Sequence, residues 1–126
     1  MTLILDAGAF VAVERGDREI VALLKRERVL GRSPVTHGGV VAEVWRGGSG
    51  RQVRVARLLA GVDIRPLDDR LGKRAGVLLA RSGRSDAIDA AVICLADDGD
   101  DVLTSDPDDL VALAAAGGSH LDLIRV

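Results

Sequence analysis

Five short apolar runs alternate with segments of helical spacing along this chain, and that alternation restricts its fold more than any other feature. The runs are residues 2–5, 29–30, 62–64, 102–104 and 121–124. Apolar periodicity and cap signals predict helices over 7–14, 18–28, 51–60, 68–81, 85–96 and 107–116, and one from Thr36 to Gly47-Gly48. Arg32-Ser33-Pro34 reads as the exit turn of the second run, and Asp17 and Asp68 as helix caps. Strands alternating with helices imply α/β architecture: a three-layer α/β/α sandwich with a mostly parallel central sheet. At 126 residues the whole chain, 1–126, is the size of a single domain.

The core must be aliphatic, because Phe10 and Trp45 are the only aromatic residues. Trp45, beside Val44, is expected in that core. The lone Cys94 excludes an intramolecular disulfide and a Cys-rich zinc site, and it reads as an inert core thiol in a reducing cytoplasm. The first residues meet an acid at Asp6, so a signal-peptide pattern is not expected. No apolar run approaches the ~18–20 residues of a membrane span. A soluble, cytoplasmic protein without membrane association is the expectation.

Nineteen acids face seventeen bases, for a net charge of −2, which argues against binding nucleic acid by bulk attraction. Fifteen of the acids are Asp, a poor residue inside helices but a good cap or metal ligand. Parallel sheets bind ligands at the carboxyl ends of their strands, near the point where strand order reverses. Asp6 follows the first run directly and Asp106 follows the fourth. Glu43 interrupts an apolar helical stretch, and Asp86 and Asp89 share one helical face.

Each acid also has a purely structural reading. Asp106 before Pro107 and Asp6 before its helix are N-cap signatures, Asp86 complements a helix dipole behind a Ser85 cap, and Glu43 suits a solvated face. As a set they imply more. Two carboxylates about 4 Å apart repel by ~4 kcal/mol at an effective dielectric near 20, so a cluster needs protons or a cation. All-oxygen ligation points to Mg²⁺, with Mn²⁺ as the alternative, and to phosphate-ester chemistry.

The segments Leu3-Ile4-Leu5-Asp6-Ala7, Ala42-Glu43-Val44, Asp86-Ala87-Ile88-Asp89-Ala90-Ala91 and Leu103-Thr104-Ser105-Asp106-Pro107-Asp108-Asp109-Leu110 resemble the four acidic motifs of the PIN-domain nucleases. In order, spacing and length the chain is most similar to the VapC toxins of type II toxin–antitoxin pairs. The resemblance implies a PIN-like fold and a Mg²⁺-dependent endoribonuclease acting as a toxin. It implies that Asp6, Glu43, Asp86 and Asp106 are catalytic and hold one or two ions that activate water against an RNA phosphodiester. Asp89 and Asp109 are then reserve ligands. A small antitoxin protein as inhibitor and a homodimer are implied as well. The pattern departs from the family at Gly8, where members often carry Ser or Thr.

Arg46, Arg51, Arg54 and Arg57 give residues 46–57 a local charge of +4, read either as a phosphate-contacting stripe for RNA or as a solvated or acid-binding face. Arg81 and Arg84 are candidates for the cleft rim. His37 and His120 lack metal-ligand spacing and read as structural or exposed. Two other small acidic α/β classes fit less well. A phosphoacceptor receiver needs a late Lys, whereas the only lysines are Lys25 and Lys73, and a haloacid-dehalogenase-type phosphatase needs an Asp where Gly8 stands. A catalytically inactive PIN-like module that binds RNA or protein remains the alternative.

Overall fold

A computed structural model describes residues 1–47 and 50–126. Within them five strands, β1 (Leu3–Leu5), β2 (Val35–His37), β3 (Asp63–Arg65), β4 (Asp101–Thr104) and β5 (Asp122–Arg125), form one sheet of order β3-β2-β1-β4-β5. Every pairing is parallel, with Ile4 opposite Val35 on one side and Val102 on the other. Parallel neighbours need crossovers, and helices supply them: α1 (Ala7–Glu14), α2 (Arg18–Val29), α3 (Gly38–Val44), α4 (Val53–Ala60), α5 (Asp69–Ser82), α6 (Ala87–Leu95) and α7 (Pro107–Gly117).

The chain steps from β1 outward to β3, then crosses to β4 and continues to β5. Right-handed crossovers therefore put helices on opposite faces before and after the reversal. Helix packing follows that rule: α1 packs on α2, α3 and α4, while α5, α6 and α7 pack together. The result is the three-layer α/β/α sandwich. Its centre is aliphatic apart from Phe10, with Ile4, Leu5, Val92, Val102 and Leu103 fully buried, each contributing about 1.5–3 kcal/mol relative to exposure. Among the described residues no helix is long and apolar enough to cross a membrane.

Several local expectations need correction. Val29 and Leu30 are not a strand. The helix capped by Asp17, which accepts from the amides of Glu19 and Ile20, runs on through Val29 and stops at Gly31, whose φ of +71° is the left-handed turn that ends helices. Both residues face solvent, Val29 at 86 % exposure. The second strand follows Pro34 instead, and Thr36, expected in a helix, lies buried in it with its hydroxyl donating to the Leu5 carbonyl at 2.7 Å. The end of α3 expected at Gly47-Gly48 falls partly outside the described residues; the helix closes at Val44. Trp45, expected in the core, is 38 % exposed, because it follows the last turn of α3 in an extended conformation. Cys94 is only half-buried.

Candidate active site

Strand order reverses between β1 and β4, and the carboxyl ends of those strands carry Asp6 and Asp106. Asp6 is held in place from both sides. Its amide donates to the Leu103 carbonyl at 3.2 Å, and its carboxylate accepts from the Gly8 amide at 2.7 Å, capping α1. At 8 % exposure the carboxyl is pushed up mainly by burial and secondarily by the charge of Asp106, against hydrogen bonds from Thr104 and the first turn of α1. Capping and clustering thus coexist in one residue. Asp106 occupies the N-cap position of α7 but makes no side-chain cap bond, so its carboxyl is left for other partners. Asp109, one turn on, shares a hydrogen bond with it and is raised by that bond and by the charge of Asp106; Arg84 opposes the rise from 3.3 Å.

Two further elements bring acids to the same edge. Glu43, near the end of α3, is exposed, and its carboxyl is raised by partial burial and then by Asp86 and Asp6. Asp86 itself is the N-cap of α6, accepting from the Asp89 amide at 3.0 Å, which corrects the expected Ser85 cap. Asp89 then sits in the first turn, half-buried, and is pushed up to about 6 by burial and by the charges of Asp86, Asp6, Glu43 and Asp109. A group that feels four other carboxylates marks where they converge. Asp6, Glu43, Asp86, Asp89, Asp106 and Asp109 therefore lie along one acidic edge formed by β1, α3, α6 and the β4–α7 junction.

Three features that hold this edge together were not apparent from sequence. His37 is fully buried: its Nδ1 accepts from the Gly39 amide at 3.0 Å, so Nε2 carries the proton and donates to the Ile88 carbonyl at 3.0 Å. It ties the helix of Glu43 to the helix of Asp89, and burial lowers its pKa, favouring the neutral ring that this pairing requires. Gly39 permits the approach, since a Cβ there would meet Ile88 Cδ1 at 2.6 Å. At Gly8 a Cβ would lie 2.6 Å from both the amide nitrogen and the hydroxyl of Ser105. The missing side chain lets the β4–α7 junction, with Asp106, seat against the first turn after Asp6. A glycine inside a helix's first turn was the available signal.

The arginines divide. Arg46 donates to the Ala42 and Trp45 carbonyls at 2.8 Å, and Arg54 to the Glu14 carbonyl at 3.2 Å, so both fasten helix ends. Arg51 and Arg57 are exposed. Arg84 stands at the rim beside Asp109, whereas Arg81 lines a different groove with Lys73 and Arg74, between α5, α6 and α7.

Among the described residues no three His, Cys, Asp or Glu side chains are gathered tightly enough to form a complete ligand set. The donors at the edge are nonetheless all carboxylate oxygens, whose affinities for protons are raised first by burial and then by one another's charge. Such a donor set fits a hard divalent cation like Mg²⁺, which keeps several waters and needs only one or two carboxylates. Comparison of the chain with protein-family models and with curated proteins gives no match.

Proposed function

We propose that this protein is a Mg²⁺-dependent endoribonuclease of the PIN-like, VapC-like kind, the toxin of a pair whose small antitoxin would restrain it. The observation that supports this reading most is the placement of six carboxylates, from four separate parts of the chain, at the strand-order reversal, where Asp89 is raised to about 6 by burial first and then by the charges of its neighbours. Acids that repel one another at a ligand-binding edge suit a site completed by a cation. A cation bound there would supply water of lowered pKa and screen charge on a phosphodiester.

The chain's own residues have defined parts in this reading. Asp6, fixed by the Gly8 amide and by β4, and Asp89, at the convergence point, are the most buried donors. Glu43, Asp86 and Asp106 stand nearer solvent, where they can hold cation and orient water. Asp109 and Arg84 form a pair at the rim, and His37 sets the distance between Glu43 and Asp89 without touching substrate. A mostly cytoplasmic life, a homodimer and RNA as substrate belong to the same proposal.

Cleavage of total RNA by the wild type and by Asp6→Asn, with Mg²⁺ and with chelator, tests it. Wild-type cleavage should require the cation, and the variant should lose about 100-fold or more. Cleavage that is indifferent to chelation, or equal in the variant, contradicts the proposal. RNA binding without any cleavage would favour the inactive binding module.

A further inference from the structure

A cleft of about 630 Å³ runs from the acidic edge along the flank of α1. Gly8 and Ser105 line its acidic end, Val11 and Ala12 its middle, and Arg15 and Gly16 its far end. Over the eight residues of α1 the rise is about 12 Å, so the cleft leads well beyond one phosphate from Asp6. Arginines flank both of its ends, although within the lining itself Arg15 is matched by Asp17. The Arg125 guanidinium donates to the Ser105 carbonyl at 3.3 Å. At the other end Arg54 lies over Gly16, where a Cβ would stand 2.9 Å from its Nη1, and Arg15 is exposed with no ion pair among the described residues. Asp17 also borders this end, with one carboxylate oxygen engaged by two amides of α2.

We propose that this cleft is the subsite for single-stranded RNA adjoining the scissile phosphate, with Arg125 and Arg15 contacting the backbone and Val11 and Ala12 offering apolar surface to a base. The inference rests on the nuclease reading and extends it to where the strand lies. An acidic centre repels phosphates, so the flanking strand must be held by nearby cations. The other positive features serve less well. Arg84 is engaged by Asp109, and the Lys73–Arg74–Arg81 groove belongs to the α5–α7 layer, on the opposite face of the sheet from α1. The α1 cleft begins beside the acids, since Gly8 and Ser105 in its lining stand next to Asp6 and Asp106.

Fluorescence anisotropy of a labelled ten-nucleotide single-stranded RNA, in chelator so that binding is read without cleavage, tests this. Arg15→Glu and Arg125→Ala should each weaken binding, the charge reversal by about tenfold, and the salt slope should fall by about 0.7 for each phosphate no longer neutralised. Lys73→Ala with Arg81→Ala, on the other face, should change little. A 4-thiouridine strand should crosslink to residues 11–16. Unchanged affinity in Arg15→Glu and Arg125→Ala, an equal loss in the control pair, or no RNA binding by the wild type overturns the proposal. Binding through the cleft with no cleavage in Mg²⁺ would uphold the subsite while sinking the nuclease reading.

Discussion

The two ends of the sheet are both rich in aspartate, yet their carboxylates are treated in opposite ways. At the amino end, Asp100 is buried and both its oxygens are occupied, one by the Thr2 amide and the other by the Asp97 amide, each at 2.8 Å. Asp98 accepts from the His120 amide at 2.8 Å. These acids stitch the Asp97–Asp101 turn to the first strand and to the approach of β5. At the carboxyl end the acids mostly face one another. Glu43 accepts no hydrogen bond among the described residues, Asp106 makes no cap bond, and Asp89 is raised by burial and then by four carboxylates. The same residue type mostly closes the fold at one edge, although Asp101 there is itself raised by burial and by the charges of Asp122 and Asp100, and it gathers more carboxylates around one group at the other edge. Asp6 and Asp86 do cap helices at the carboxyl end, so the difference lies in the acids beyond these caps, Glu43, Asp89 and Asp106, that no backbone amide engages.

That contrast is broken most forcefully by removing one acid from each end. Asp100→Ala orphans two backbone amides and should destabilise the protein by about 2 kcal/mol. Asp89→Asn relieves repulsion and should stabilise it by about 0.5–2 kcal/mol, at the expense of any cation-dependent activity. Urea unfolding in chelator gives both values, and effects of the same sign would end the comparison.

Much of this architecture was legible in the chain, for a physical reason. The apolar runs at 2–5, 62–64, 102–104 and 121–124 all lie at or beside strands; the central β1 and β4 are short aliphatic runs because they are buried, whereas the edge strands β3 and β5 are exposed or half-buried and carry charged residues. Val29-Leu30 misled because two apolar residues at a helix end look the same as a strand start, and only Gly31 separates the two. The acids of the edge were visible because they follow strands or interrupt apolar faces. The standing of Asp89 among them was not visible, as three of its four charged neighbours, Asp6, Glu43 and Asp109, come from other elements. Likewise the Gly8–Ser105 contact, the His37 bracket and the placement of Arg15 and Arg125 beside one cleft depend on residues far apart in sequence.

A subtler effect concerns pH. Asp89 has a folded pKa of about 6 against an ordinary value of 3.8, so between these values the folded protein holds more protons than the unfolded chain. Its stabilising contribution is complete below pH 3.8 and is lost as pH rises through about 6. Without divalent cation, the wild type should lose stability over that window more steeply than Asp89→Asn. Saturating Mg²⁺ should flatten or reverse the trend, because cation and proton compete for the same oxygens. Thermal melts across that range follow the difference.

Mn²⁺ titration followed by amide NMR tests the central claim most directly, since the paramagnetic ion broadens signals near wherever it binds. Broadening should begin at residues 6–9, 43, 86–90 and 105–109, and Asp6→Asn or Asp89→Asn should weaken it. Broadening that begins instead at residues 97–101 and 120–122, or that survives both substitutions unchanged, would contradict the assignment of the carboxyl edge as the cation-binding site.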